Sequence, residues 1–142
     1  MLIIVAGTIQ SLILFLLSIL HLSWAFGSSW GFENSLPTHE NGEKVLSPKK
    51  KDSAIVGIGL LMFALFYRIK IGIIPVELPG WVLGTAGWLI AIIFLLRAMG
   101  DFNYVGFFKK VRETDFAIND SKYYSPLCLG LGLLGIAIEL IV

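Results

Sequence analysis

Four apolar runs, each near the length of a membrane crossing, constrain this chain more than any motif in it. The first covers residues 2–26 and carries no charge; Thr8, Gln10, three serines and His21 are its polar interruptions. At about 1.5 Å of rise per residue it is long enough for about 30 Å of hydrocarbon. The run is expected to be a retained span rather than a cleaved signal peptide, because no basic stretch precedes it, it is too long and no Ala-x-Ala-like site follows it. The second run, residues 53–74, is uncharged from Ala54 to Tyr67; Arg68 and Lys70 follow and are expected to snorkel at the far interface. Ser47-Pro48 reads as a cap followed by proline at the first helical position, which places Lys49, Lys50 and Lys51 among lipid headgroups. The third run covers residues 79–99 and is uncharged from Pro79 through Leu96, with Arg97 near its end. The fourth, residues 125–142, opens on Ser125-Pro126 and contains one charge, Glu139, expected as a rim carboxylate.

These runs predict an all-α integral membrane protein, a four-helix antiparallel bundle forming a single domain over residues 1–142. Composition agrees. Hydrophobic residues make up 56% and charged residues 15%, against about 45–50% and 25% in ordinary soluble domains, and mean hydropathy is +0.83. A soluble fold of this size has no interior for that much apolar surface. The net charge of +1 gives no field for polyanions, so nucleic acid is not an expected partner. Cys128 is the lone cysteine, and His21 and His39 are the only histidines. A disulfide, a Cys-x-x-Cys pair and a thiolate zinc cage are therefore excluded, and no metal or cofactor is expected.

Lysine and arginine counts set the orientation. Loops 27–52 and 100–124 carry eight, in Lys44, Lys49, Lys50, Lys51, Lys109, Lys110, Arg112 and Lys122. The second connection has only Arg68 and Lys70. Both large loops are therefore expected to be cytoplasmic, with both termini facing outward. Small residues at helical spacing are expected to set close helix contacts in lipid: Gly57 and Gly59, Gly80-x-x-x-Gly84, Gly87-x-x-x-Ala91, and Gly132 with Gly135.

Polar residues gather at the cytoplasmic end. His21 lies about 30 Å along its helix and Arg97 about 25 Å along its own. Ligand-binding candidates at this level are His21, Trp24, Arg97, Asp101, Tyr123 and Tyr124. Each also has a plain reading: Trp24 as a belt anchor, Arg97 as a helix-end cation, Asp101 as a cap after Gly100 or as the partner of Arg97. The loop from Asp101 to Tyr124 interleaves aromatics with Lys109, Lys110 and Arg112. These three are expected at lipid headgroups, with a short amphipathic helix over residues 103–112. Gly27-Ser28-Ser29-Trp30-Gly31 matches a hydrolase nucleophile elbow literally, but that elbow needs a strand before it, and here a membrane helix precedes it.

The chain resembles the domain of unknown function 3995 family of small bacterial membrane proteins. The resemblance rests on His21-Leu-Ser-Trp24-Ala-Phe-Gly27, Leu36-Pro37, Arg97-Ala-Met-Gly100-Asp101-Phe102, Tyr104-Val-Gly-Phe-Phe108, Thr114-Asp115-Phe116 and Tyr123-Tyr-Ser125-Pro126-Leu-Cys128. It implies a four-helix bacterial inner-membrane protein and brings with it no activity, substrate or cofactor.

Three functions remain open at this point. The first is a membrane protein without covalent catalysis, whose cytoplasmic-face pocket binds a lipid headgroup, a small anionic ligand or a partner. There Arg97 is the anion contact, His21 and Tyr124 are hydrogen-bond partners, and Asp101 orients Arg97. The second is an acid–base enzyme on a membrane-dissolved substrate, with His21 paired to Asp101 or Asp115. The third is a small transporter or channel subunit, which needs copies of the chain to associate as a homo-oligomer.

Overall fold

In the computed structural model, which describes residues 1–142, the chain is all-helical. Helix α1 spans Leu2–Ala25, α2 Lys50–Lys70, α3 Gly80–Met99, α4 Asp115–Asn119 and α5 Ser125–Ile141. A single π-helical turn, Asp120–Tyr124, joins α4 to α5 without a break. Four helical stretches are long and apolar enough to cross a membrane, so the chain is a multi-pass membrane protein by length and composition. Large side chains such as Leu16, Met62, Leu89 and Leu133 remain exposed around the bundle, as a lipid-facing surface requires.

The helices associate as two pairs, α1 with α2 and α3 with α5. Contacts between α1 and α5 join the pairs, while α2 and α3 barely meet. Glycine sets the closeness. A β-carbon on Gly57 would lie 2.7 Å from Leu22 Cγ, and one on Gly132 would lie 2.6 Å from the Leu95 side chain. Gly87 and Gly135 are equally occupied, by Glu139 and by Ala91 with Tyr67. The expected contact role holds for these four. It fails for Gly59, Gly80 and Gly84, where a β-carbon meets nothing within 4 Å.

Polar residues inside the bundle bond to backbone carbonyls, because lipid supplies no partner. Gln10 Nε2 donates to the Leu131 carbonyl at 3.0 Å, joining α1 to α5. Ser18 Oγ donates to the Gly57 carbonyl at 2.6 Å, joining α1 to α2.

Three boundaries differ from expectation. Helix α2 begins at Lys50, not at 53 and not at Pro48 with Ser47 as its cap; the N-cap is Lys49, whose N–H donates to the Asp52 carboxylate at 2.8 Å. It ends at Lys70 rather than 74, since Gly72 turns the chain with φ +78°. Residues 103–112 form no helix. There the chain folds back on itself: Lys110 N and Val111 N both donate to the Asn103 carbonyl at 2.9 Å, and Phe107 N donates to Ala98 O at 2.8 Å. The fold-back depends on glycine at Gly100 (φ +84°) and Gly106 (φ +90°). A β-carbon on either would collide with the other strand of the fold-back, at Val105 or at Met99.

Gly57→Leu should overpack the α1–α2 contact and cost about 1–3 kcal/mol, as intruding methylenes do in close-packed interiors. Gly59→Leu should be nearly neutral. Thermal unfolding in one detergent compares them; equal midpoints would show that glycine does not set this contact.

Candidate functional site

The most concentrated polar chemistry lies where α3 ends and α5 begins. Thr114 caps α4 by accepting from the Ala117 N–H at 3.1 Å, and the π turn that follows turns Asp120 fully inward. Single π turns of this kind recur at functional sites. Asp120 Oδ1 accepts from Arg97 Nη2 at 3.0 Å. Its Oδ2 accepts from the Gly106 N–H at 2.8 Å, from Ser125 Oγ at 3.0 Å and from Lys109 Nζ at 3.1 Å. One carboxylate thus gathers the last turn of α3, the fold-back loop and the first residue of α5.

Lys109 is as buried as Asp120, with a side chain 0% exposed. Its ammonium also donates to Gly106 O at 2.9 Å and Ser121 Oγ at 2.5 Å. All three of its N–H bonds are used. Arg97 is different: its side chain is 34% exposed, and Nη1 is buried without a partner. Two cations share one carboxylate, so the cluster carries a surplus positive charge next to an unused guanidinium nitrogen.

The sequence candidates distribute themselves otherwise. Arg97 pairs with Asp120, not Asp101. The Asp101 carboxylate instead accepts from the N–H groups of Asn103, Tyr104 and Val105 at 2.8–3.0 Å, the capping alternative. Burial pulls the Asp101 pKa upward, and these backbone donors outweigh it, so the carboxyl titrates below its ordinary 3.8. His21 is held by its own helix, Nδ1 to the Leu17 carbonyl at 2.8 Å, with its ring 4.8 Å from that of Trp24. Trp24 Nε1 donates to Trp30 O, and Tyr124 Oη donates to Asn34 O at 3.1 Å. Tyr123 is exposed beneath Lys122. Apart from the His21–Trp24 ring contact, these six make no direct contact with one another among the hydrogen bonds, ion pairs and ring pairs. Of the three headgroup candidates, Lys110 and Arg112 are exposed. Lys109 is not: Asp120 draws it inside.

Asp120 escaped the sequence reading because apolar periodicity carries no trace of a π turn. A signal did exist, in Thr114-Asp115 before Phe116-Ala117, a helix-start signature upstream of Ser125.

A second ion pair lies at the opposite end of the bundle. Lys70 Nζ donates to Glu139 Oε2 at 2.9 Å, with both side chains 3% exposed, and to the Leu83 carbonyl at 2.5 Å. Glu139 is therefore not a rim carboxylate, and Lys70 does not snorkel outward. Each finds its counter-charge inside, because Gly87 leaves room for the carboxylate. Arg68 also turns inward, its Nε donating to Ser11 Oγ at 2.9 Å.

The family described as Protein of unknown function (DUF3995) matches residues 14–135. No curated protein and no solved structure matches the chain.

Asp120→Asn should cost about 3–5 kcal/mol, since it leaves the fully buried Lys109 without its counter-charge. Lys109→Met combined with Asp120→Leu should recover part of that loss; unfolding midpoints in detergent decide it. Asp101 gives a separate pH effect. Its folded pKa lies below the unfolded one, so its stabilisation is complete above the unfolded value and is lost as pH falls through the folded value. Wild type and Asp101→Asn should therefore differ in stability at neutral pH and converge in acid.

Proposed function

The chain belongs to the DUF3995 family, and from the geometry at Arg97 we propose that it binds the anionic headgroup of a membrane lipid, or a small anionic ligand, where α3 meets α5. The observation that carries this reading is the unpartnered Arg97 Nη1 beside a cluster with one carboxylate for two cations. Asp120 spends both oxygens on the protein, and Lys109 spends its whole ammonium. Only Arg97 has donors left, and its planar fork suits carboxylate and phosphate oxygens. The exposed Lys110 and Arg112 lie on the adjoining loop and supply local attraction for anionic lipid. In the same reading the loops face the cytoplasm of a bacterial cell, from the lysine and arginine asymmetry.

The function is one of binding rather than covalent catalysis. His21 Nδ1 is tied to a carbonyl of its own helix, His39 Nδ1 meets the Tyr104 hydroxyl at 3.0 Å, and neither histidine takes part in an ion pair with a carboxylate, which favours binding over acid–base chemistry at His21.

Native mass spectrometry of wild type and Arg97→Gln, each loaded from phosphatidylglycerol micelles, tests the reading. Wild type should retain anionic lipid, and Arg97→Gln should retain it on the order of tenfold less, the scale of one charge-assisted hydrogen bond. Equal retention, with the mutant folded, overturns it.

A further inference from the structure

A cleft of about 380 Å³ opens at the end of the bundle that carries Met1 and Val142, lined among others by Lys70, Gly80, Leu83, Gly84, Trp88 and Glu139. We infer that this cleft is a binding site for the primary ammonium group of an amphiphile, with Glu139 as its acceptor.

The two charged residues in the cleft wall are unequal in what they leave unused. Lys70 is engaged by Glu139 Oε2 and the Leu83 carbonyl, and its ammonium lies 5.6 Å over the Phe66 ring. Glu139 has given only one oxygen: Oε1 is buried and without a partner. A buried carboxylate oxygen lacking a donor is costly, and what it lacks is an N–H or O–H. The site therefore selects a donor and not a second anion.

The walls specify the rest. Oε1 rests against Gly87, one residue from Trp88 and about one turn from Gly84 on α3. Trp88 lines the cleft and is 38% exposed, and an indole ring attracts a cation held near it. Gly80 and Gly84 have open space where a β-carbon would stand, so they widen the cleft without serving a helix contact. Leu83 and Val142 supply an apolar border that suits a hydrocarbon tail. Two sources share this chemistry: a phosphatidylethanolamine headgroup and a free lipophilic amine.

The test uses the whole protein in detergent. Wild type, Gly84→Leu, Glu139→Gln and Arg97→Gln are equilibrated with phosphatidylethanolamine or phosphatidylglycerol and analysed by native mass spectrometry. In parallel, unfolding midpoints are read with octylamine and with octanol. A β-carbon at Gly84 meets nothing within 4 Å, so Gly84→Leu should extend into the cleft and fold normally. Wild type and Arg97→Gln should retain phosphatidylethanolamine, while Gly84→Leu and Glu139→Gln should lose it on the order of tenfold. Octylamine should raise the wild-type midpoint more than octanol does. Protection by octylamine without lipid retention supports the site and names a free amine as its occupant. The inference is overturned if wild type shows neither preference, or if Gly84→Leu behaves as wild type in whichever arm responds. Because Arg97→Gln leaves this site intact, its result bears on the anion site alone.

Discussion

Asp120 accepts hydrogen bonds from α3, from the fold-back loop and from the start of α5, and the connection between these helices is organised around it. A carboxylate without exposure needs several donors to stay ionised, and Asp120 has four. One of these donors, and the direction of Asp120 itself, depend on unusual backbone. Gly106 reaches it because the fold-back brings a glycine at positive φ against Gly100, and Asp120 itself points inward because the helix is π-wound there. Lys109 follows as a consequence, since a fully buried ammonium is tolerated only beside such a carboxylate.

Lipid gives helices no hydrophobic reason to associate, so close packing and polar links must hold the two pairs together. Within each pair, glycine lets backbones approach. Between pairs, α2 and α3 scarcely touch; α1–α5 packing and a shared apolar core join them, and single polar groups add specific links. Lys70 reaches from α2 to both α3 and α5, and Gln10 links α1 to α5 near the middle. At the loop end, Tyr124 bonds the Asn34 carbonyl and Tyr104 Oη meets His39 Nδ1 at 3.0 Å. The two large loops thus pack on one another at one end of the bundle.

What the sequence made legible was what depends on runs of residues. Four crossings, the stop at Gly100 and the cap role of Asp101 all follow from local composition and turn chemistry. The pairing of charges did not. Arg97 and Asp101 are four apart and invite pairing, yet Asp101 is captured by three amides in the turn that follows it, which leaves Arg97 for a carboxylate 23 residues away. Glu139 near the last residue suggested a wet rim, yet Lys70, 69 residues earlier, takes it inside. Long-range pairing depends on helix rotation and on where glycine opens space, and neither has a signature within a single segment.

The two polar clusters share a design that ties binding to assembly. At each, a buried ion pair joins separate helices while one partner keeps an unspent valence: Arg97 Nη1 at one end, Glu139 Oε1 at the other. A buried ion pair contributes little net stability, because desolvation offsets most of its attraction. Groups that complete its hydrogen bonding therefore change the balance more than they would on a well-satisfied surface. Under the two proposed readings, a ligand bound at either end would stabilise the junction it occupies, α3 to α5 at Asp120 or α2 to α3 and α5 at Lys70. Opposite unspent valences at the two ends, a donor and an acceptor, fit ligands of opposite charge without competition between them.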